Sequence, residues 1–396
     1  MPLTKIRLNN PQLVLYTETD EGVVFHKASQ SLYQLPALSI SLLLAIDEGF
    51  SKQKSIERVA KLSNLQESEL LAHYQKILRL FNEESTESAY VDAQYPELST
   101  IDKPFSVSSC SSLKTYQVAQ TKYSIDIKST NLFTTISTLL YPCEKTLSMV
   151  DFQIAVIACV NKNNFFDIVC NGLVIERELP FDHVLPHLID RLQILSFQNS
   201  DYQYCFHGAA LETENGSLLL PGKSGAGKST LSAVLASDGM QLYSDEMIVL
   251  NEHFQIMTLN LPIAIKSGSW KILEKRYPEL KGESVWLRED GRRLKYIWPT
   301  CFVQSNIANM LTSKNTLLIN PCYQTTKIPQ AKSQVRLSLI DTLVLITGGG
   351  YQVASELTEN KIDQLFNFIS EQPCYQLNYD STEQVIYLLE DIWQKN

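Results

Sequence analysis

The sequence contains no C-x-x-C pair, although it has eight cysteines. They are scattered along the chain, and several lie inside apolar runs such as "IAVIACV". Such spacing is typical neither of a zinc ribbon nor of a small disulfide-stabilised domain. We therefore expect reduced, mostly buried thiols in a cytoplasmic protein. The cysteines are at positions 110, 143, 159, 170, 205, 301, 322 and 374.

Clusters of basic residues and long apolar runs are also lacking. The chain has 34 Lys and Arg against 43 Asp and Glu, a formal net charge of −9, and binding to nucleic-acid phosphates needs clustered positive charge. The longest apolar stretch, "LPALSISLLLAI", is too short to span a bilayer. The N-terminal segment "MPLTKIRLNN" lacks the layout of a signal peptide. The sequence predicts no nucleic-acid partner, no membrane association and a cytoplasmic location.

The first 90 residues carry the pattern of a small domain. The stretch "LVLYTETDEGVVFH", residues 13–26, predicts two strands of a hairpin. Three helical patterns follow, the first ending at Gly49 as a C-cap and the second starting after Ser51 as an N-cap. We therefore predict a winged-helix-like domain, a hairpin plus three helices, at residues 1–90. The three helical patterns are "LPALSISLLLAIDEG", "SKQKSIERVAKLSN" and "QESELLAHYQKILRLFNEE".

A polar, proline-containing tract at residues 85–104 interrupts this periodicity. We assign 91–104 as a linker and 105–396 as a second domain, in which strand-like and helical runs alternate, as in an α/β sheet. Within the helical run "FDHVLPHLIDRLQILSF", His183 and His187 have i, i+4 spacing. Because Pro186 lies between them and no acidic ligand follows, we favour a helix start there over a metal site.

The stretch "GKSGAGKST" is the most informative motif. It fits G-x-x-x-x-G-K-[ST] and stands between the apolar strand "SLLLP" and the helix "STLSAVLAS", within a predicted core at 204–300. In such a loop backbone N–H groups approach phosphate oxygens, the lysine neutralises the β- and γ-phosphates, and the hydroxyl of Ser229 reaches Mg²⁺. We predict that ATP is bound by Gly222, Lys223, Ser224, Gly225, Ala226, Gly227, Lys228, Ser229 and Thr230.

An acidic pair follows the loop closely. Asp245 comes 17 residues after Lys228, which leaves room for one helix and the short strand "QLYS". If that strand is parallel to the strand before the loop, Asp245 lies at the nucleotide crevice. We predict that Asp245 accepts the proton of an attacking hydroxyl and that Glu246, with Ser229, holds Mg²⁺. A turn carboxylate and a solvated side chain are the alternatives for the two acids.

Three further positions carry candidate roles. His207, in "YCFH", is a candidate to hydrogen-bond the catalytic carboxylate or a phosphate, with a structural histidine as the alternative. Lys266, in "AIKSGS", is a candidate to neutralise the transferred phosphoryl group, with a solvated lysine as the alternative. Arg292 and Arg293 are less specific phosphate candidates. The chain has no "LSGGQ" motif, which favours a kinase of small hydroxyl groups over a transporter ATPase.

The segments "HGAAL", "GKSGAGKST", "YSDEM" and "LPIAIKSGSW" resemble the HPr kinase family, whose fold is related to that of ATP-dependent phosphoenolpyruvate carboxykinase. The resemblance covers about 105–396, and it implies an α/β P-loop kinase domain of the HPr kinase type. It also implies that Asp245 and His207 are catalytic, beside Lys228 of the loop.

Three departures from the family pattern concern the substrate. The chain has Thr230 where a glutamate is usual, Asp245-Glu246 where two aspartates are usual, and no P-V-x-P-G-R-N segment. These departures argue against phosphorylase activity and against HPr as the substrate. The chain instead resembles the HPr-kinase-related branch found beside peptide-modification genes.

Residues 1–90 resemble the PqqD family, whose small winged-helix module captures leader peptides of ribosomally made natural products. The resemblance implies that an extended peptide adds to the hairpin edge beside the third helix. The alternative is a dimerisation or packing domain. Together the two resemblances predict an ATP- and Mg²⁺-dependent kinase that phosphorylates serine in a small peptide or precursor peptide, and they leave a homo-oligomer open. A free serine kinase and a non-catalytic ATP-binding peptide chaperone or sensor are the alternatives.

Overall fold

A computed structural model describes residues 3–63, 65–82, 112–160, 162–223, 225–302, 315–324 and 333–395, and the backbone of 105–106. It is mixed α/β with several sheets, and the chain forms two compact units. The first unit consists of Met1–Gln94, Arg336–Leu345 and Val353–Pro373, and the second contains the rest. The division predicted from the sequence had assigned both later segments of the first unit to the second domain.

The secondary structure of the described residues is as follows. The strands are β1 Thr4–Arg7, β2 Leu13–Glu18, β3 Glu21–His26, β4 Ser31–Pro36, β5 Phe105–Ser106, β6 Leu113–Val118, β7 Thr121–Ile127, β8 Met149–Val150, β9 Phe152–Ala158, β10 Phe165–Cys170, β11 Leu173–Pro180, β12 Tyr204–Thr213, β13 Gly216–Pro221, β14 Gln241–Ser244, β15 Met247–Leu250, β16 Ile256–Met257, β17 Ile263–Lys266, β18 Trp286–Leu287, β19 Arg293–Ile297, β20 Thr316–Tyr323, β21 Gln334–Arg336, β22 Tyr351–Val353 and β23 Cys374–Tyr379. The helices are α1 Ala37–Asp47, α2 Lys52–Ser63, α3 Glu67–Asn82, α4 Thr130–Leu139, α5 Phe181–Gln198, α6 Lys228–Ser237, α7 Trp270–Leu273, α8 Leu339–Gly348, α9 Glu359–Ser370 and α10 Thr382–Lys395. None of these helices is long and apolar enough to cross a membrane.

The first unit begins with an antiparallel sheet in the order β1-β2-β3-β4, and its core also contains residues of α1, α2 and α3. The predicted hairpin is therefore the central pair of four strands, and β1 and β4 are the edges. β1 was not predicted because "TKIR" is short and mostly exposed. β4 was not predicted, and its last two residues, Leu35 and Pro36, were read as the start of the first helix; Pro36 is extended (ψ 161°) and α1 begins only after it.

Both predicted helix caps are present in this unit. Gly49 has φ +81°, which favours glycine, and its amide donates to the Ile46 carbonyl oxygen (3.0 Å). The Ser51 hydroxyl oxygen accepts from the amide of Lys54 (3.4 Å) at the start of α2. These local signals set the end of α1 and the start of α2.

Helix α9 packs on the sheet of the first unit. The Tyr16 hydroxyl donates to Asp363 Oδ1 (2.9 Å), and its ring lies 4.9 Å from the ring of Phe366. Glu359 pairs with Lys5 (2.7 Å) and with Lys27 (3.2 Å). The hydrogen bond from Lys5, with help from Lys27, lowers the pKa of Glu359 to about 2. An early strand and a late helix thus share one packed interface.

The second unit contains a five-stranded sheet in the order β11-β10-β9-β7-β6, whose core includes residues of α4 and α5. Helix α4 was not predicted, since "TNLFTTISTL" is rich in β-branched residues that also favour strands. Helix α5 begins at Phe181, so Pro186 lies inside it rather than at its start. His187 Nδ1 lies 3.3 Å from Glu176 Oε2, and no cluster of three metal-ligating residues occurs in the described part of the chain.

The largest sheet of this unit has the order β16-β15-β12-β13-β20-β23-β21, with β14 and β22 also paired to β12. Strand β12 is antiparallel to both β13 and β14, so these two run in the same direction with β12 between them. The predicted parallel direction is therefore present, although the strands are not neighbours. Gly222 and Asp245, which follow β13 and β14, consequently lie at the same edge of the sheet.

Candidate functional site

The predicted phosphate loop joins β13 to α6. Three of its glycines have positive φ, Gly222 (+134°), Gly225 (+91°) and Gly227 (+91°), a conformation that side chains other than glycine rarely adopt. A Cβ at Gly225 would meet nothing within 4 Å, so the backbone there is open to a ligand. Gly227 is the N-cap of α6. Ser224, also predicted to bind ATP, lies outside the described residues.

Lys228 is the buried cation of this loop. Its Nζ donates to the carbonyl oxygens of Gly222 (2.7 Å) and Lys223 (2.9 Å). Burial lowers the pKa of Lys228, while the charges of Glu246 and Asp245 raise it. The ammonium group is thus held by the loop itself, beside the place where phosphate oxygens would lie.

A solvent-open cleft lies against the loop. It brings together predicted residues that are far apart in the sequence, from β12, the segment after β14, and β17. Thr230, which also lines it, hydrogen-bonds through its hydroxyl to Ser269 (2.5 Å). The lining residues are His207, Gly225, Gly227, Lys228, Ser229, Thr230, Glu246, Ala264, Ile265, Lys266 and Ser269.

Asp245 is placed directly after β14, as the spacing predicted. Both of its carboxylate oxygens are buried, and neither has a hydrogen-bond partner of normal geometry among the described residues. Burial, and then the charge of Glu246, raise the pKa of Asp245 to about 7, while the Ser229 hydroxyl and Lys228 act in the opposite direction. A buried carboxylate in this state favours either a proton or a cation. Asp245 is close to Ser229 but is not among the residues that line the cleft.

Glu246 and His207 face each other at the cleft. Glu246 has φ +75°, a strained value for a residue with a side chain. His207 Nδ1 lies 2.9 Å from the Glu246 carbonyl oxygen and 3.4 Å from Glu246 Oε2. Because a carbonyl oxygen only accepts, Nδ1 carries the proton and Nε2 is left as an acceptor in the neutral ring. Burial, with the charges of Lys228 and Lys266, lowers the pKa of His207, while Glu246 opposes this.

The sequence analysis missed the glycines that follow α8. A Cβ on Gly349 would lie 2.7 Å from the carbonyl oxygen of Gly222 and 3.5 Å from His207 Cβ. The His207 amide donates to the Gly350 carbonyl oxygen (3.1 Å), and the Gly222 amide donates to the His207 carbonyl oxygen (3.3 Å). The run "TGGG", residues 347–350, was the only signal available. These contacts fix the backbone at the start of the loop.

Two predicted phosphate candidates do not line the cleft. Arg292 Nε lies 3.3 Å from Asp290 Oδ2, and the Arg293 guanidinium lies 5.5 Å from the centre of the Trp270 ring. Another residue outside the predictions, Gln193 of α5, donates through Nε2 to the carbonyl oxygen of Asp245 (3.2 Å). It helps to fix the backbone that carries the buried carboxylate.

No protein-family model matches the chain, and a search of the curated proteins finds no similar sequence. The resemblances to the HPr kinase and PqqD families therefore stay predictions.

Proposed function

We propose that the chain is an ATP- and Mg²⁺-dependent kinase that acts in the cytoplasm and phosphorylates a hydroxyl group, that of serine in a small peptide. The observation that carries the proposal is the buried carboxylate of Asp245, which has a pKa of about 7 beside a phosphate loop. A general base works best when its pKa is near the working pH, and such shifted groups concentrate at functional sites.

The loop supplies the ATP site in this proposal. The positive φ of Gly225 and Gly227 lets the backbone of the loop approach phosphate oxygens, and the N-terminus of α6 adds a positive end. Lys228 places one positive charge at the same point, and Lys266 adds a second across the cleft. The negative charges of a triphosphate need such compensation.

The donors at the cleft also fit Mg²⁺. Ser229 and Glu246 offer a hydroxyl and a carboxylate, the oxygen ligands that Mg²⁺ prefers, and the carboxylate oxygens of Asp245 accept no hydrogen bond of normal geometry from the described residues. When bound, Mg²⁺ neutralises charge that develops on the β- and γ-phosphates. Ser229 and Glu246 would hold it, and Lys228 would remain on the loop carbonyls.

In this proposal the proton of the acceptor goes to Asp245, which requires the buried carboxylate to turn toward the cleft when the acceptor binds. The O–H bond of the acceptor breaks as its oxygen bonds to the γ-phosphorus, and the bond from that phosphorus to the β–γ bridging oxygen breaks, which releases ADP. Gln193 fixes the backbone of Asp245 through its carbonyl oxygen. His207, neutral at pH 7, positions Glu246 through its Nδ1–H.

The first unit supplies the peptide site in this proposal. Strands β1 and β4 are the edges of its sheet, and an edge strand offers backbone groups to which an extended peptide can add. A tethered peptide would present its serine at high local concentration. Because β2 and β3 are internal, the peptide adds to β1 or β4 and not to the hairpin itself.

The proposal is tested by measuring phosphate transfer by the native protein and by two variants, Asp245→Asn and Glu246→Gln. Native protein, ATP and Mg²⁺ are incubated with serine-containing peptides or with free serine, and products are identified by mass spectrometry. Asp245→Asn should retain ATP binding and lose about 10²- to 10⁴-fold in transfer rate, the usual contribution of a general base. Glu246→Gln should instead raise the Mg²⁺ concentration that half-maximal transfer requires.

Three other results of this experiment would contradict the proposal or part of it. ATP binding without transfer to any acceptor would contradict the kinase and favour a chaperone or sensor. Transfer to free serine but to no peptide would favour an amino-acid kinase. Full transfer by Asp245→Asn would remove the base assignment.

A further inference from the structure

Two tyrosines end the strands next to the phosphate loop. Strand β20 ends at Tyr323 and β23 ends at Tyr379, and these two residues are partners in the register of the parallel pair. Strand β20 is also parallel to β13, the strand before the loop. The carboxyl ends of all three strands therefore lie at one edge of the sheet, where ligands bind in open α/β sheets.

Both tyrosines lie on the face of the sheet that carries the loop helix. Leu317 and Ile319 of β20 and Tyr379 of β23 share a core cluster with residues of α6. Side chains of a strand alternate between faces, so Tyr323, four residues after Ile319, is on the same face. Since α6 begins in the phosphate loop, loop and tyrosines share one face as well as one edge.

One tyrosine touches the loop and the other is presented to solvent. The Tyr379 hydroxyl would lie 3.6 Å from a Cβ on Gly227, and the residue is only 5% exposed. Burial raises the pKa of Tyr379 to about 12, so it stays neutral. Tyr323 is 53% exposed, and its ring packs 5.9 Å from that of Tyr379 at 65°, an edge-to-face contact. Tyr379 thus holds the exposed ring of Tyr323 beside the loop.

The tyrosines also extend beyond the start of the loop. Leu219 of β13 is paired with Leu318 of β20. Tyr323 lies five residues past Leu318, whereas Pro221 lies two past Leu219, so β20 continues about 10 Å further at about 3.3 Å per residue. In a nucleotide whose β- and γ-phosphates occupy the loop, the ribose and the α-phosphate separate the base from the loop. The base site must therefore lie some distance from the loop, as these tyrosines do.

We propose that Tyr323 and Tyr379 form the nucleobase site, with adenine stacked on the ring of Tyr323 and Tyr379 joining this platform to Gly227. The inference rests on the proposed function, because it takes ATP as the ligand of the loop. Aromatic stacking adds affinity through the base and none through the phosphates. The site therefore distinguishes ATP from inorganic tripolyphosphate.

The test compares these two ligands on the full chain by calorimetry. Tyr323→Ala should raise the Kd of ATP about tenfold, within the range of measured base-stacking contributions, and leave the Kd of tripolyphosphate unchanged. Tyr323→Phe keeps the ring and should leave both values unchanged. Tyr387→Ala is the matched control, since Tyr387 is 59% exposed but lies within α10.

Two results would overturn the base site while the proposed function stands: an unchanged Kd of ATP in Tyr323→Ala, or equal losses for both ligands. If native protein binds neither ligand, both proposals fail together. Photolabelling of native protein with 8-azido-ATP gives a second test that needs no variant. Label should appear in the peptides that contain Tyr323 or Tyr379, and label confined to other peptides would contradict the site.

Discussion

Gly349 lies so close to Gly222 that a single methyl group at position 349 would stand 2.7 Å from the Gly222 carbonyl oxygen. Real Cβ atoms do not approach backbone oxygens this closely, so the backbone of one segment would have to shift. Gly222 accepts from Lys228 Nζ through that same carbonyl oxygen. Gly349, more than 100 residues away in sequence, thus helps to set the position of the carbonyl oxygen that accepts from Lys228 Nζ.

We expect Gly349→Ala to weaken nucleotide binding, because it displaces Gly222 and with it the anchor of Lys228. The Kd of ATP and the KM for ATP should rise about tenfold, while kcat changes little. Gly348→Ala is the control from the same segment, since its Cβ would make only an ordinary contact with Lys223 Cε (3.8 Å). Calorimetry and steady-state kinetics give both quantities, and equal ATP affinity in the two variants would contradict the role of Gly349.

Replacing each of the two lysines of the loop by alanine should have very different effects on phosphate transfer. If the proposed function holds, Lys228→Ala should abolish phosphate transfer, because it removes the buried ammonium that would neutralise the β- and γ-phosphates. Lys223→Ala should retain most activity, since Lys223 is exposed and contributes its carbonyl oxygen rather than its side chain. The measurement is transfer of labelled phosphate at saturating ATP. Similar losses in both variants would show that total charge, rather than the position of Lys228, governs the reaction.

Asp245 should make the stability of the protein fall as pH rises. Its pKa is about 7 in the folded chain and near 3.8 when exposed, so the folded state binds more protons between these values. The free energy of unfolding should therefore decrease from about pH 4 to pH 7, by at most about 1.4 kcal/mol per pH unit from this group. Asp245→Asn removes that contribution. The free energy of unfolding in urea is measured for the native protein and for Asp245→Asn between pH 5 and 8. If it changes with pH equally in both proteins, the raised pKa of Asp245 is contradicted.

Removal of residues 1–103 should not leave a well-packed remainder. The deletion takes away Tyr16, which packs on Phe366, and the rest of the core around it, while α9 stays in the fragment. Phe366 and Ile362 are buried in the whole chain and would lose partners in the first unit. We expect increased binding of a hydrophobic dye and a lower Tm than that of the full chain. A fragment with unchanged Tm and no dye binding would show that α9 does not need the N-terminal sheet.

The local parts of the site could be predicted from one sequence. The glycines and Lys228 of the loop, the strand before it, the helix after it and the place of Asp245 all follow from patterns within 30 residues. His207 and Lys266 were also named as candidates, and the structure places both at the cleft. Such features depend on backbone conformations and strand ends that short-range spacing determines.

The other parts depend on contacts that leave no local pattern. The role of Gly349 follows from a backbone approach between distant segments, and "TGGG" alone does not identify its partner. The assignment of α9 to the first unit is equally non-local, because its apolar face fits many surfaces. Strand β4 shows a third reason, since "SLYQLP" continues into an apolar helix and Pro36 was not recognised as the boundary.

The packing of Tyr16 and Lys5 against α9 also determines when the first unit can finish folding during translation. The ribosome makes the chain from its N-terminus, so β1–β4 and α1–α3 emerge long before Glu359 and Phe366 exist. Their sheet must wait for more than 300 further residues with the surface that α9 later covers still in water. Such a delay lengthens the time during which nascent chains expose apolar surface and can aggregate. The order of synthesis therefore leaves this early sheet without its covering helix until nearly the whole chain has been made.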